Sequence, residues 1–253
     1  MQQFIISSLL VISTVSVFAQ SSGIITYKET MKMDFEIDMP EGIDISGMLP
    51  ESTTSYKDLY FNSTQSAYVD AKANESSDQE IESDDGAVKI MIKMDSNEEI
   101  YFTDFNSLTQ THQRSFMGKD FLIEQSLEKP KWKLTGEKVS YLSYECHKAE
   151  LIIPAQDEDG DESHIVAWFA PSISTQVGPK VYNALPGAIL MLSVNGDHHE
   201  YMATEVVFDT DNSEKLIKPT KGKVVTAAEY TKIIQEKKLE MKEMSGGAIF
   251  NRH

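Results

Sequence analysis

A regular alternation of apolar and polar side chains over Ile24–Met39 limits what this chain can fold into. One parity is apolar except at residue 29, while charged residues dominate the other. The apolar set is Ile25, Tyr27, Met31, Met33, Phe35, Ile37 and Met39. Because successive side chains of a strand point to opposite faces, the pattern predicts a strand with one dry and one solvated face. A second layer, a partner or a ligand must cover that dry face.

Shorter segments of the same kind follow along the chain. Strands are predicted at Ser55–Asn62, Ser66–Ala71, Val88–Met94, Glu99–Phe105, Leu108–Phe116, Phe121–Gln125, Trp132–Gly136, Lys138–Ile153, Ser163–Ala170, Ala188–Val194 and His199–Phe208. The polar, acidic segment Asn74–Gly86 is expected to be a loop. The apolar parity shifts within Lys138–Ile153, which predicts a β-bulge near His147 and Lys148. Asn195-Gly196 is typical of a tight hairpin turn and should pair the strands on either side of it.

One helix is predicted, close to the C-terminus. Thr226 and Glu229 have the spacing of a capping box, and Gly246-Gly247 supplies a stop signal. The apolar stripe consists of Tyr230, Ile233, Ile234, Met241 and Met244. Many antiparallel strands and one terminal helix indicate a mainly β (α+β) fold, as a curved sheet, an open barrel-like sheet or a sandwich. We expect one β-rich domain over residues 20–225, with the helix and tail, residues 226–253, packed on it.

Residues 1–19 have the pattern of a secretory signal peptide. Phe4–Phe18 is apolar, and Val17-Phe18-Ala19 places small residues at the two positions that a signal peptidase recognises. We expect cleavage after Ala19 and a periplasmic or secreted protein. The apolar run is shorter than the ~20 residues that a membrane-spanning helix needs, and no other stretch approaches that length. No stable membrane insertion is therefore expected.

The charge balance excludes some partners. The formal net charge is −17, which makes nucleic acid and anionic lipid headgroups unfavourable partners. We interpret the acidity as a solubility feature. Cys146 is the only cysteine, so it cannot form an internal disulfide, and we interpret it as a small buried apolar residue.

The motif search predicts no catalytic residue. The chain lacks the G-x-S-x-G turn of hydrolases and the G-x-x-x-x-G-K phosphate loop. His199-Glu200 begins like a zinc-protease helix, but residue 203 is alanine rather than the second histidine ligand. His198 and His199 are adjacent and would point to opposite faces of a strand, so we interpret them as residues of a surface hairpin.

Metal and cofactor sites are not predicted either. Asp157, Asp159 and Asp161 have the spacing of a calcium loop. However, Glu162 and Trp168 occupy the positions where an EF-hand needs glycine and glutamate, so we interpret the aspartates as a solvated hairpin tip.

A family resemblance comes from the segment 165–192, in which two apolar runs flank a loop rich in proline and glycine. The residues concerned are Ala184-Leu185-Pro186-Gly187-Ala188-Ile189, preceded by Trp168-Phe169, Pro171 and Gly178-Pro179, with Phe116–Gln125, Trp132-Lys133-Leu134 and Tyr144–Ala149 upstream. This pattern resembles the GLPGLI family, exported proteins of Bacteroidetes-type bacteria that have no assigned activity. Ala184 and Ala188 replace a glycine and a leucine of the family motif. The first replacement implies that residue 184 need not have a positive φ, whereas Gly187 is expected to need its missing Cβ.

The functional hypothesis follows from the long dry face. We expect an apolar cavity lined by Met31, Met33, Phe35 and Trp168, in a non-enzymatic envelope protein that carries an apolar ligand or binds a protein partner. The resemblance is compatible with a shape similar to lipoprotein carriers, which is an analogy at the level of fold. Three alternatives remain open. One is a core packed solid, without a cavity. The others are a protein that handles metal ions, since thioethers suit Cu(I), and a hydrolase built from scattered Asp, Glu and His.

Overall fold

The mainly β fold with one C-terminal helix is confirmed. A computed structural model describes residues 22–33, 50–71, 79–82, 89–92, 99–154 and 162–244. The strands are β1 (Gly23–Lys32), β2 (Ser52–Phe61), β3 (Gln65–Asp70), β4 (Gln79–Glu82), β5 (Lys89–Ile92), β6 (Ile100–Asp104), β7 (Thr109–Phe116), β8 (Lys119–Ser126), β9 (Lys133–Tyr141), β10 (Tyr144–Ile153), β11 (Ser163–Ala170), β12 (Ala188–Val194), β13 (His199–Phe208) and β14 (Lys223–Thr226). The helix is α1 (Ala227–Met244).

Twelve strands form one open sheet in the order β14-β8-β7-β6-β3-β2-β1-β13-β12-β11-β10-β9. Neighbouring strands are antiparallel, except that β14 runs parallel to β8, so the sheet is mixed at this edge. The strands β4 and β5 pair with each other outside the main sheet. The acidic segment expected to be a loop therefore contains a strand, β4.

The sheet is strongly curved, as the short link between β8 and β9 requires. Ten inter-strand spacings separate these two strands in the sheet order, which would be ~48 Å in a flat sheet. Only residues 127–132 join them, and a link of that length spans at most ~25 Å. The two ends of the sheet must therefore approach each other. We call the face that carries Ile25 and Tyr27 the inner face, since its side chains form the main core.

A loop, rather than a second sheet, fills the inside of the curve. Residues 171–187, which we call the plug loop, connect β11 to β12. Ile173, Val177 and Leu185 of this loop are buried in one cluster with Ile25 and Tyr27 of β1. The dry face predicted for the first strand is thus covered by the chain itself, which excludes the sandwich architecture for the described residues.

The opposite, outer face is crossed by residues 209–222. Leu216 packs there against Ala67 and Phe102. The Nδ2 atom of Asn212 donates a hydrogen bond to the carbonyl oxygen of Gly23 at 2.8 Å. This crossing carries the chain from the centre of the sheet to its edge and explains why β14 arrives parallel to β8.

Several local predictions are confirmed. The register of β9 and β10 shifts between His147 and Ala149, as expected for a bulge. Asn195 and Gly196 both have positive φ, 52° and 73°, in the turn that pairs β12 with β13. Cys146 is buried, and burial raises the pKa of its thiol to about 11.

One predicted strand is instead a hairpin. The segment Lys138–Ile153 was expected to be continuous, but the chain reverses at Leu142 and Ser143 between β9 and β10. Both residues have positive φ, 46° and 68°. Tight hairpin turns that need two such residues usually contain asparagine or glycine, and here the sequence carries no such signal.

The helix begins as predicted, and the first half of its predicted apolar stripe docks, whereas Met241 is 48% exposed. The backbone N of Thr226 donates to Oε2 of Glu229 at 2.8 Å, which is one half of the capping box. Tyr230, Ile233 and Ile234 pack against β8 and β14. Helices in the described ranges are too short or too polar to cross a membrane.

We expect Ile233→Asp to detach the helix, because the substitution places a charge in the contact that holds a mostly polar helix on the sheet. Amide exchange measured by mass spectrometry should accelerate at least tenfold across Thr226–Met244. Leu239→Asp is the matched control, since Leu239 is 61% exposed on the same helix and should leave exchange unchanged. Equal protection in both variants would contradict the docking contact.

Candidate functional site

The predicted lining residues do not converge on one face of the sheet. Across the sheet from β11 to β1, each residue faces the next on the neighbouring strand: Trp168, Met191, Met202 and Lys28. Lys28 lies on the outer face, since its neighbour Tyr27 lies on the inner face. Residues directly opposite in antiparallel strands share a face, so Trp168 lies on the outer face. Met31 has the parity of Tyr27 and lies on the inner face. The two were predicted to share one cavity, and they do not.

The other two predicted lining residues add little to the site. Met33 follows the end of β1 and is half-buried. Phe35 lies outside the described residues, as do the aspartates of the predicted hairpin tip.

A buried carboxylate interrupts the apolar parity of β1 and organises the inner face. Glu29 is 7% exposed. Its Oε1 atom accepts hydrogen bonds from Nζ of Lys180 at 2.5 Å and from Nε2 of His199 at 2.7 Å. Its Oε2 atom accepts a longer bond, 3.3 Å, from the hydroxyl of Tyr68. We call these four residues the polar latch.

The electrostatics of the latch keep Glu29 ionised. Burial alone would raise the pKa of its carboxyl, but the hydrogen bond from His199 and the nearby Lys180 ammonium outweigh burial and lower this pKa to about 2. The carboxylate is therefore charged near neutral pH. It forms a buried ion pair with the plug loop.

The latch corrects the prediction for His199, which was expected on a surface hairpin. Its side chain is only 20% exposed, and Tyr201 stacks on its ring with centroids 4.5 Å apart. The residue opposite it on β1 is Met31, so it lies on the inner face. A sequence signal for the latch existed: Glu29 is a charged residue on an otherwise apolar parity.

Further hydrogen bonds fix the plug loop on both sides of the curve. The Nε2 atom of Gln110 on β7 donates to the carbonyl oxygen of Lys180 at 3.2 Å. The indole Nε1 of Trp132 donates to the carbonyl oxygen of Asn183 at 2.9 Å. Just beyond the loop, at the start of β12, the hydroxyl of Tyr27 donates to the carbonyl oxygen of Ile189 at 2.5 Å. The loop is therefore a built part of the fold.

A second group of polar side chains lies on the inner face towards the helix. The ring of His112 stacks on Tyr101 with centroids 3.8 Å apart, and Arg114 pairs with Glu99 at 3.2 Å. Burial first, and then the positive charges of Arg114 and Lys180, lower the pKa of His112 to about 3. This histidine therefore stays neutral in the folded protein near neutral pH.

A cleft lies among the described residues where the plug loop meets the turns at one end of the sheet. Its volume is about 460 Å³. It is lined by Ser63, Phe105, Leu108, Leu127, Lys129, Ser174, Thr175, Gln176, Asn183 and Ala184. We call it the loop-end cleft. Backbone hydrogen bonds hold its apolar wall, since the N–H of Leu127 donates to the carbonyl oxygen of Leu108 at 2.8 Å.

The lining of this cleft combines apolar and polar side chains. Phe105, Leu108 and Leu127 form an apolar wall, and hydroxyl and amide side chains of the plug loop face it. The residues that line it include no Asp, Glu, His or Cys. Across the described ranges, no group of three or more such residues could hold a metal ion.

The residues of the family motif form the return of the plug loop into β12. Leu185, Ala188 and Ile189 are buried in the core. Gly187 has φ of 152°, and a Cβ there would lie 2.3 Å from the carbonyl oxygen of Ala170, which confirms the prediction for this glycine. The prediction for Ala184 is wrong, because its φ is 67° and it borders the cleft. Alanine tolerates this conformation at a cost of ~1 kcal/mol relative to glycine.

Known structures are similar to this chain in fold alone. Two structures of PNGF-II, in the C2 and P21 space groups, match with TM-scores of 0.53 and 0.52 at 16% and 14% sequence identity. The matches cover 85% of this chain but only 33% and 34% of PNGF-II, so the chain spans about a third of the length of that protein. The sequence matches no family model and no curated protein. The resemblance to the GLPGLI family therefore stays a prediction from the quoted residues.

Proposed function

We propose that this protein is a non-enzymatic binding protein of the periplasm or cell exterior that holds a ligand in the loop-end cleft. The observation that carries the proposal is the lining of the cleft, which combines an apolar wall with hydroxyl and amide groups. The cleft has a volume of about 460 Å³. Small-molecule sites in proteins commonly have ~300–1,000 Å³ and this mixture of apolar walls and a few polar groups.

The inside of the curved sheet is a weaker candidate than the cleft. The plug loop occupies that space, and its apolar side chains belong to the main core. The hydrogen bonds that Gln110 and Trp132 donate to the plug loop keep it in place. A ligand is therefore expected beside the plug loop, and not at Met31.

A hydrolase is the second candidate, because the latch brings a glutamate, a histidine, a lysine and a tyrosine together. Glu29, however, is held at a pKa of about 2, far from the near-neutral value that efficient acid–base catalysis favours. Lys180 and His199 both contact the same oxygen of Glu29, and all three side chains are largely buried. We interpret the latch as structural.

Export is the part of the proposal that rests on sequence alone. If Met1–Ala19 is a signal peptide, protein purified from the native cell envelope has an intact mass that begins at Gln20. A mature species that still carries Met1 would contradict export.

The binding hypothesis is tested with N-phenyl-1-naphthylamine, an apolar fluorescent probe, added to the purified protein. Saturable fluorescence enhancement is expected, and Leu108→Asp should weaken it at least tenfold because it places a charge in the apolar wall. Leu108 lies in a turn with φ of 53° and is 48% exposed, so the fold should survive the substitution.

Met117→Asp is the matched control for that experiment. Met117 has φ of 49° and is 57% exposed in the turn between β7 and β8, where it does not line the cleft. The Met117→Asp variant should bind the probe with the same affinity as the unmodified protein. No saturable binding, or an equal loss in both variants, would refute the cleft as the ligand site.

A further inference from the structure

We propose that the ligand of the loop-end cleft is an amphiphilic anion, with an apolar body and one acidic headgroup held by Lys129. This inference rests on the proposed function and adds the chemical class of the ligand. Its basis is a short basic segment at the cleft. Lys129 lines the cleft, and Lys131 and Lys133 follow it within four residues.

The three lysines lie close together in sequence without a neutralising carboxylate among the described residues. Neighbouring lysines on β9 and β10 are neutralised, Lys138 by Glu145 at 2.8 Å and Lys148 by Glu137 at 2.9 Å. Lys129, Lys131 and Lys133 are exposed and take part in none of the ion pairs found among the described residues. Glu128 lies beside them in sequence, so the segment 128–133 keeps a net charge of +2.

The fold holds this charge next to the apolar wall. Trp132 donates its indole hydrogen bond to the plug loop, which anchors the basic segment at Asn183. Lys129 lines the same cleft as Leu108 and Leu127. An apolar body would contact that wall, and a carboxylate or sulfonate would then lie within reach of the Lys129 ammonium.

The overall charge of −17 does not prevent this recognition. At physiological ionic strength the Debye length is ~8 Å, so distant carboxylates are screened, whereas a lysine in contact with the ligand is not. The local charge therefore decides the sign of the preferred ligand. Ser174 and Thr175, which line the cleft, can donate further hydrogen bonds to an acidic headgroup.

The test compares two probes that share one ring system. N-Phenyl-1-naphthylamine is neutral, and 8-anilinonaphthalene-1-sulfonate adds a sulfonate to the same rings. We expect the anionic probe to bind at least fivefold more tightly, and Lys129→Gln to remove that preference without changing the affinity for the neutral probe. Dodecanoate should displace both probes at lower concentration than dodecanol.

Lys119→Gln is the matched control, because Lys119 is exposed at the start of β8 and does not line the cleft. It should leave both affinities unchanged. Equal affinity for the two probes, or an anion preference that persists in Lys129→Gln, overturns the inference and leaves the binding function intact. Failure of both probes to bind overturns the binding function together with the inference.

Discussion

Replacing Gly187 by alanine is expected to lower the free energy of unfolding by ~2–5 kcal/mol, the sum of a steric clash and a strained backbone. The added Cβ would lie 2.3 Å from the carbonyl oxygen of Ala170 and 2.9 Å from Cα of Pro171. Both contacts are backbone atoms at the start of the plug loop, so no side chain can turn away. The φ of 152° is also one that alanine rarely adopts.

Gly136→Ala separates the clash from the backbone strain. Gly136 has a positive φ of 84°, but a Cβ there would meet no atom within 4 Å. This variant should lose only ~1 kcal/mol, the usual cost of alanine at a positive φ. Urea denaturation midpoints of the two variants give the comparison. If Gly187→Ala costs no more than Gly136→Ala, the motif is not structural, and loss of probe binding at an unchanged midpoint would make it a functional site.

Local sequence patterns were sufficient to predict most elements of this fold. Alternating side chains identified β1 over its described length, the capping box of Thr226 and Glu229 located the start of α1, and Asn195-Gly196 located a hairpin. Each of these depends on interactions between residues close in sequence. The same reasoning failed at Leu142-Ser143, where the turn conformation is adopted by residues that do not signal it.

The functional geometry could not be predicted, because it depends on contacts between distant parts of the chain. Glu29 contacts Lys180 and His199, which are 151 and 170 residues away in sequence. The pairing of β1 with β13 and the entry of the plug loop into the curve create these contacts, and neither follows from local propensity. Trp168 was assigned to the wrong face because apolar character alone does not say which face of a strand is covered.

The loop-end cleft left no sequence signal either. Its walls come from the turns after β2 and β6, the link between β8 and β9, and the plug loop. Serine, threonine and leucine are ordinary residues for such loops, so composition could not mark them. Only the curvature that brings these segments to one end of the sheet turns them into a site.

Replacing Glu29 by glutamine is expected to cost ~2–4 kcal/mol of stability at pH 7, since breaking a buried ion pair leaves its partners uncompensated. Lys180 and His199 retain some solvent contact, which places the expected cost towards the lower end of that range. Because Lys180 would lose its anchor, amide exchange should accelerate across residues 171–187. Exchange in β8 and β14 should not change, since neither strand contributes to the latch.

The same substitution should alter the dependence of stability on pH. The pKa of Glu29 in the folded protein, about 2, lies below the ordinary value of 4.5 for a glutamate. Its stabilisation is therefore complete above pH 4.5 and is lost as the pH falls towards 2. At pH 3 the unmodified protein should have lost ~2 kcal/mol of its free energy of unfolding through protonation of Glu29. The difference in free energy of unfolding between the unmodified protein and Glu29→Gln, which we call the gap, should therefore narrow by that amount. His112, which burial above all keeps neutral, also destabilises the fold in acid in both proteins, so the acid loss of each protein alone is larger than the contribution of Glu29.

Glu145→Gln completes the test, because Glu145 pairs with Lys138 and His147 while its side chain stays 65% exposed. An exposed pair of this kind contributes little to stability because solvent screens it, so this variant should remain close to the unmodified protein at both pH values. Urea midpoints of the three proteins at pH 7 and pH 3 measure the gap. Two results would show that Glu29 does not hold the plug loop through an ionised carboxylate. One is a loss of stability in Glu29→Gln no larger than that in Glu145→Gln. The other is a gap between Glu29→Gln and the unmodified protein that stays constant down to pH 3. A narrowing gap together with faster exchange across residues 171–187 is the result expected of the latch, since Lys180 ties the plug loop to that carboxylate.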